Sequence, residues 1–517
     1  MPDKAAIRAR LLAGLPTVFH GARADLAVQY DGDPIELVDT PPHDTQVLAY
    51  LLGEPDVHLK VLTKKLLGRD PIAYSSTLAN EPYETQRAYA ASDARNTYDL
   101  FLNLAPRLKE KGQDRVYAEI ERPLVPIIAS MEKFGSPVDT HVLLALYRDH
   151  VTVEEGLRRA IRDHYGFDVK SDDQTKLLIK SQTGFDPGTL DKRVLSRNPA
   201  GYIDLISAYR HTRTRRRAFL GRTIKRWVAA GRPEDFRLYP RYNQAGSPEG
   251  RAAPRTGRLS SADPNLMNQP HEIRSMFVGP PGYKYWSFDY KGLELCIGAA
   301  LSGDEAMLRV LRDGEDGGDL HTLFQRRIFE LTGKQVPRVV AKRAMFEQQY
   351  LGGADTLVRI LAEERAFIDI DTAEQLVGAH ARAFPQYHEA AGLWIAHGRE
   401  RGYGETLFGR RRYIPELTSR DATVRGHGER ACANVRIQGT AADVVKIAMR
   451  RVVPVLLRYN GHLSVQVHDE LCGWVPAAVD ASAFVLDMKA AMQSVEVPGI
   501  TLTVTGGVGA NWAEVHE

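Results

Sequence analysis

A chain of 517 residues, 43% of them hydrophobic and 26% charged, is too long for one compact core and has the balance of a soluble globular protein of roughly three domain-sized units. No run of about 18 apolar residues occurs that could cross a membrane as a helix, and the N-terminus, MPDKAAIRARLLAGLPTVFHG, lacks the apolar core of a signal peptide. Cys296, Cys432 and Cys472 lie far apart and form no CxxC pair, which argues against a disulfide framework or structural zinc and for a reducing cytoplasm.

The formal net charge of +3 is too small to indicate nucleic-acid binding, but the distribution says more. Residues 1 to about 115 are mixed, with helical patterns at Thr45 to Leu52 and Tyr83 to Leu104. A helix-rich stretch from about Glu119 to Val228 is broken by GFDPGTL at 184–190 and ends in an arginine-dense block, RHTRTRRRAFLGRTIKRW (Arg210 to Trp227). The planar arginine fork fits phosphate, so the block could follow a nucleic-acid backbone; a solvated helix face is the plain alternative. A Pro/Gly/Arg-rich segment, 246–270, reads as loop and short strands. In YKYWSFDYKGLEL the spacing of Tyr283, Tyr285 and Phe288 predicts a strand that hands over to a helix at about Gly292. Residues 305 to 430 read mainly as helices. HLSVQVHDELCGWVP reads as strand, tight turn, strand, with the His468–Asp469 pair at the turn. No internal repeat is visible, which excludes solenoids.

Two acidic positions carry the chemistry. Asp289 ends an apolar strand and Asp469 sits at the tip of an apolar hairpin. Taken singly, each suits a structural turn; as a pair on adjacent strand ends they could hold two Mg2+ ions, which prefer carboxylate oxygens and substrate phosphates. Upstream, Pro337 suits the first turn of a helix, and Arg338, Lys342, Phe346 and Tyr350 follow at steps of four. Each step drifts only about 40° around a helix, so one face would present two cations and then two rings. Cations can grip a triphosphate while rings stack on a base; a packed aromatic stripe with a solvated basic end is the alternative.

In order and wording these segments resemble family A DNA polymerases, from about Glu119 to the C-terminal NWAEVHE. TGRLSSADPNLMNQP (Thr256 to Pro270) looks like the segment lining the minor groove of primer-template, FDYKGLEL (Phe288 to Leu295) like motif A, and RVVAKRAMFEQQY (Arg338 to Tyr350) like motif B. ERACANVRIQGTAAD (Glu429 to Asp443) resembles the template-contacting helix and QVHDEL (Gln466 to Leu471) motif C. The resemblance implies template-directed DNA synthesis by a right-hand α+β fold, with an antiparallel palm sheet and helical fingers and thumb. Asp289 and Asp469 would bridge two Mg2+ (Mn2+ able to substitute), with the Tyr290 backbone carbonyl completing one shell and Glu470 a nearby, less critical carboxylate. Arg338, Lys342 and His321 would hold the incoming triphosphate, with Lys342 also a proton donor to pyrophosphate. Phe346 would pack on the sugar and Tyr350 stack near the templating base. Glu294 would be the steric gate against ribose, although a helix first-turn acid fits the same position. Arg258, Asn265, Arg430, Asn434, Gln438 and His468 match positions that contact DNA, where minor-groove acceptors shared by all base pairs suit an enzyme indifferent to sequence. The arginine block would lie in the thumb, gripping duplex phosphates.

The sequence departs from the family in motif B, where Asn-Phe-Gly and Tyr-Gly are usual and Met345-Phe346-Glu347 and Tyr350-Leu351 stand here. Glu347 brings a negative charge beside the sugar pocket, and Leu351 replaces a flexible residue at the helix end. The implied domains are an exonuclease-like unit (1–115), thumb (116–240), palm (241–304 and 431–517) and fingers (305–430).

Residues 1 to about 110 look like the second half of the family's 3′–5′ exonuclease, with Asp25 in FHGARADLAVQY at a metal-ligand position and Tyr89 and Asp93 in YAASD forming its third motif. Gly21 stands where Asn is usual, and no Asp-x-Glu first motif precedes residue 110. The expectation is a ribonuclease H-like remnant without proofreading, in a chain without its own 5′-nuclease. A monomer acting on primer-template DNA and deoxynucleoside triphosphates, with no membrane partner, is expected. A single-subunit RNA polymerase shares several of these residues, but Glu294 and the Thr256–Pro270 segment favour DNA.

Overall fold

The computed structural model describes residues 4–73, 77–184, 186–191, 195, 201–245, 256–314 and 318–516. The expected break at 184–190 and the loop 246–270 therefore fall partly outside the described residues. The centre of the molecule is a four-stranded antiparallel sheet of β1 (Tyr283–Tyr290), β2 (His462–Val467), β3 (Glu470–Pro476) and β4 (Val504–Gly509), in the order β2-β3-β1-β4. Strand alternation splits β1 cleanly. Trp286, Phe288 and Tyr290 face a core that includes Leu471, Phe484 and Met488, while Tyr285 packs with Phe277, Cys472 and Trp512 on the other side. Truncating a fully buried ring such as Phe288 would cost about 3–5 kcal/mol. Close approach matters at Gly473 of β3, where a Cβ would lie 2.6 Å from the Trp286 ring.

β1 passes at Gly292 into α1 (Leu293–Ser302), as its sequence suggests. The stretch 305–430 is mainly helical and includes α2 (Leu320–Thr332), α3 (Arg338–Gln349) and α4 (Ala422–Asn434). It also carries a short hairpin, Tyr403–Glu405 with Arg411–Tyr413, which the pattern did not reveal. A π-helical stretch, Val435–Gly439, joins α4 to α5 (Thr440–Tyr459), which is buried against the sheet core through Val444, Met449 and Val452.

Upstream, the helices Thr140–Tyr165 and Gly201–Thr214 share a core of Ile161, Ile203, Ile206 and Tyr209. The arginine block lies on the latter helix and its continuation. Part of it is used internally: Arg210 pairs with Asp172 at 3.0 Å, Arg215 with Glu272 at 2.5 Å and Arg216 with Glu154 at 2.5 Å. Arg217, Arg222, Lys225 and Arg226 remain exposed. The block is thus part internal ion pairing and part solvent-exposed face.

The N-terminal residues form a separate core around Leu26, Leu48, Leu100 and Leu104, with one short parallel pair, Val18–Phe19 and His43–Asp44, and a long helix, Tyr83–Glu110. Among the described residues no helix is long and apolar enough to cross a membrane.

Candidate active site

The sheet register brings the two aspartates together. β3 pairs with β1 so that Glu470 lies opposite Asp289, and the two-residue turn between β2 and β3 lifts Asp469 to the same end. The Tyr290 N–H donates to the Asp469 carbonyl at 3.3 Å, fastening the turn to the strand end. His468 holds the first turn position at φ 54°, the left-handed conformation that a two-residue hairpin demands and that side chains adopt reluctantly. The Asp289 and Asp469 carboxyls hydrogen-bond each other, and burial raises the Asp469 pKa above the usual carboxylate range. Two carboxylates sharing a half-buried site fit a divalent cation, which removes their repulsion. Among the described residues no group of three His, Cys, Asp or Glu side chains is arranged as a metal cage. A Mg2+ ion held by this pair would keep coordination for substrate phosphate and water, as that ion prefers.

Glu470 points into a different environment. It accepts from Ser287 Oγ at 2.6 Å and Trp512 Nε1 at 2.6 Å and pairs with Arg274 at 3.3 Å, whose guanidinium lies 4.2 Å over the Trp512 ring. The carboxylate is buried and held in that polar cluster.

Glu294, in the first turn of α1, is the hub of the neighbouring pocket. Arg258 forms an ion pair with it, the Tyr350 hydroxyl donates to its carboxylate, and Gln349 Nε2 donates to its backbone carbonyl. Gln438 also bonds its side chain, and burial raises its pKa against the pull of Arg258. The Asp469 charge acts on it as well, so this pocket adjoins the aspartates.

On α3 the stripe forms as spaced. Lys342 is exposed, and Phe346 lies 5.5 Å from the His321 ring between centroids. Burial first, then the charges of Lys342 and Arg338, lower the His321 pKa despite Asp319; its Nδ1 is buried with no hydrogen-bond partner among the described residues. Arg338 is engaged by Asp319, its Nη2 at 2.5 Å and Nε at 3.1 Å from one oxygen. Asp319 also caps α2 by accepting from His321 N at 3.0 Å. Sequence reasoning overlooked Asp319, although an Asp just before a helix is an N-cap signal.

Of the remaining candidates, Asn265 uses its side-chain oxygen to cap a short helix, accepting from Met267 N at 3.1 Å. Arg430 is exposed and donates to His427 at 2.9 Å. Asn434 and Gln438 flank and occupy the π-helical stretch, and π-helical turns often reshape helices at functional sites. His468 is exposed at the hairpin tip, its pKa lowered by partial burial and then by Arg258.

The motif B departures have local consequences. Glu347 is half-buried against Gly352, its pKa raised by burial, with Arg359 and Arg430 nearby. Leu351 sits just past α3 at φ 56°, the left-handed position where glycine is favoured.

In the N-terminal unit, Asp25 lies beside Asp44, and burial followed by that charge raises its pKa to about 6. Asp93 is paired with Lys60, whose ammonium also lies 4.4 Å over the Tyr89 ring.

Comparison with known proteins gives the chain's relatives. The family model described as DNA polymerase family A matches residues 161–514, and one described as 3′-5′ exonuclease matches residues 3–109. The chain is 33% identical over 501 residues to the thermostable DNA polymerase I of Thermus filiformis, covering 92% of this chain and 56% of that protein. It is 30% identical over 520 residues to DNA polymerase I of Rhizobium leguminosarum, covering 92% of this chain and 49% of that protein. It thus spans about half the length of these relatives. In fold it matches the POL domain of Pol1 from M. smegmatis, solved in complex with DNA primer-template and dNTP, with a TM-score of 0.80 at 24% identity over 100% of this chain and 90% of that one.

Proposed function

The chain belongs to DNA polymerase family A, and on that basis we propose that it extends a primer 3′-hydroxyl on a DNA template by two-metal nucleotidyl transfer. The observation that carries this reading is the sheet register that sets Glu470 opposite Asp289 and so brings Asp469, one residue back at the turn, against Asp289, beside the pocket that Glu294 shares with Arg258 and Tyr350. Asp289, Asp469 and the Tyr290 carbonyl would hold Mg2+. When bound, the ions lower the pKa of the primer hydroxyl and stabilise the pyrophosphate leaving group.

The chain's own groups do the rest. Arg338 exchanges Asp319 for the triphosphate as the helix closes, so binding and closure are coupled. Lys342 neutralises phosphate and gives a proton to the departing pyrophosphate. His321, neutral at pH 7, supplies an N–H donor. Phe346 supports the sugar and Tyr350 closes the pocket over the nascent pair. Glu294 fills the space under C2′ and excludes a ribose hydroxyl. Arg258, Asn265, Arg430, Asn434, Gln438 and His468 contact the duplex, and exposed Arg217, Arg222 and Lys225 grip its phosphates. Residues 1–115 act as an exonuclease remnant, 116–240 as thumb, 241–304 and 431–517 as palm and 305–430 as fingers.

The N-terminal unit does not proofread on this reading. Lys60 neutralises Asp93, the carboxylate that would otherwise attract a metal ion. Loss of a mismatched primer end that is abolished by Asp93→Ala would refute it.

The deciding experiment is extension of a labelled primer with Mg2+, comparing deoxynucleotides with ribonucleotides and wild type with Asp469→Ala. Template-dependent extension with deoxynucleotides, lost in the variant and without shortening in the absence of nucleotides, is expected. Absence of extension by a folded protein that binds primer-template would overturn the reading.

A further inference from the structure

The end of α3 meets the start of α1 through side chains that are polar and buried. Gln349, the last residue of α3, is only 2% exposed, and its Nε2 donates to the backbone carbonyl of Glu294 in the first turn of α1. Tyr350, the next residue, donates its hydroxyl to the Glu294 carboxylate. Consecutive residues at one helix end thus hold the same glutamate, one by its main chain and the other by its side chain. The glutamine is itself pinned, since the Tyr387 hydroxyl, from the helix Pro385–Arg401, donates to the Gln349 carbonyl at 2.5 Å. Gly298, one turn further along α1, makes room for the junction. A Cβ there would lie 3.1 Å from Gln349 Nε2 and 3.3 Å from the Tyr387 ring, so a larger residue would crowd the amide.

Packing alone does not account for a glutamine at this position. Its Oε1 is buried with no hydrogen-bond partner among the described residues, and an unmet buried acceptor destabilises a fold. Leucine is of similar size and has no polar atom to leave unmet. The amide is therefore kept against stability, and what it supplies is the bond to Glu294.

We propose that Gln349 is a positioning residue for sugar discrimination. It ties the main chain of the gate residue to the pivot end of α3. The Glu294 carboxylate then keeps its place under C2′ while the Arg338 end of the helix swings onto the triphosphate. This rests on the polymerase reading above and adds to that site a selectivity element outside the gate side chain.

The test uses the full chain with Gln349→Leu and, as a second variant of similar length without an amide, Gln349→Met. Each is compared with wild type for the ratio of deoxynucleotide to ribonucleotide kcat/KM on one primer-template, and for thermal unfolding. Loss of one hydrogen bond predicts a fall in that ratio of about fivefold. The unfolding temperature should equal or exceed that of wild type, because the unmet acceptor is removed with the donor. In a Glu294→Ala background the same substitutions should shift the ratio by less than about twofold, since Gln349 acts through the gate. A residue that merely packed α3 against α1 would lower the unfolding temperature and leave the ratio alone, and that result would overturn the proposal. So would the full effect persisting in the Glu294→Ala background. Wild type that extends with deoxynucleotides while the variants keep its ratio sinks this inference alone; wild type that does not extend sinks the polymerase reading and this inference with it.

Discussion

Arg338 and Asp319 form a two-pronged ion pair across the start of α3, Nη2 and Nε of the arginine lying 2.5 and 3.1 Å from one carboxylate oxygen. The guanidinium proposed to receive the triphosphate is thus already satisfied by an internal anion, and nucleotide binding is an exchange of one anion for another. The arginine is about half exposed, so the pair contributes little stability and yields readily. Asp319→Asn keeps an N-cap acceptor for α2 while removing the competing charge. Its expected effect is a fall in deoxynucleotide KM of roughly two- to fivefold, measured by steady-state extension, with kcat little changed.

The pocket around Glu294 predicts a second outcome. Arg258, Tyr350 and Gln438 hold the carboxylate in place, so its volume rather than its charge should exclude ribose. Glu294→Ala should reduce discrimination against ribonucleotides by roughly 10- to 100-fold, read as the ratio of kcat/KM values. Glu294→Gln, of nearly equal size, should keep most of it.

At the other end of α3, Leu351 occupies a left-handed position at a cost of roughly 1 kcal/mol relative to glycine. Leu351→Gly should raise the unfolding temperature by about 1–3 °C, in a scan at constant rate. It should also speed the fingers movement, seen as a faster fluorescence transient on nucleotide binding.

Glu121, Asp443, Arg410 and Lys446 form a buried charge cluster, Arg410 lying 2.5 Å from Glu121 and 2.7 Å from Asp443 and Lys446 2.6 Å from Glu121, and it sets a pH dependence. Burial alone would raise the Glu121 carboxyl, but Lys446 and Arg410 override it and hold the pKa at about 2. A carboxyl depressed in the folded state gives stability that is fully present above its ordinary range near pH 4.5 and is lost as pH falls toward 2. Glu121→Gln should therefore destabilise by roughly 3–5 kcal/mol at pH 7, with the difference from wild type shrinking below about pH 4, as followed by denaturant unfolding.

Much of the layout of the candidate site was legible in the chain because it rests on local periodicity. Alternation in YKYWSFDY and the turn in QVHDEL place Asp289 and Asp469 on strand ends, and steps of four align Arg338, Lys342, Phe346 and Tyr350. What escaped depends on contacts across space. Nothing around Lys60 in the sequence indicates that it meets Asp93. The hairpin at 403–413 was invisible because strands of three residues are too short for alternation to register. Glu470 stands next to Asp469 in sequence, yet its bonds to Ser287, Trp512 and Arg274 give it a buttressing place that adjacency could not suggest.

The distance between Asp289 and Asp469 is set by rungs of a backbone ladder, since β1 and β3 pair without interruption from Tyr283 opposite Pro476 to Asp289 opposite Glu470. Side chains around the pair can be exchanged and the aspartates stay in step, whereas deletion of one residue within β3 would turn its whole row of side chains over and carry Asp469 out of reach. The two kinds of functional group therefore have different freedom to diverge. The helix-borne cations and rings have more room to drift, because reach can be recovered by a longer side chain or a rotated helix, and their neighbours Glu347 and Leu351 already depart from the residues usual in the family. The aspartates have no such slack, and their tolerance is that of a ratchet with a one-residue tooth.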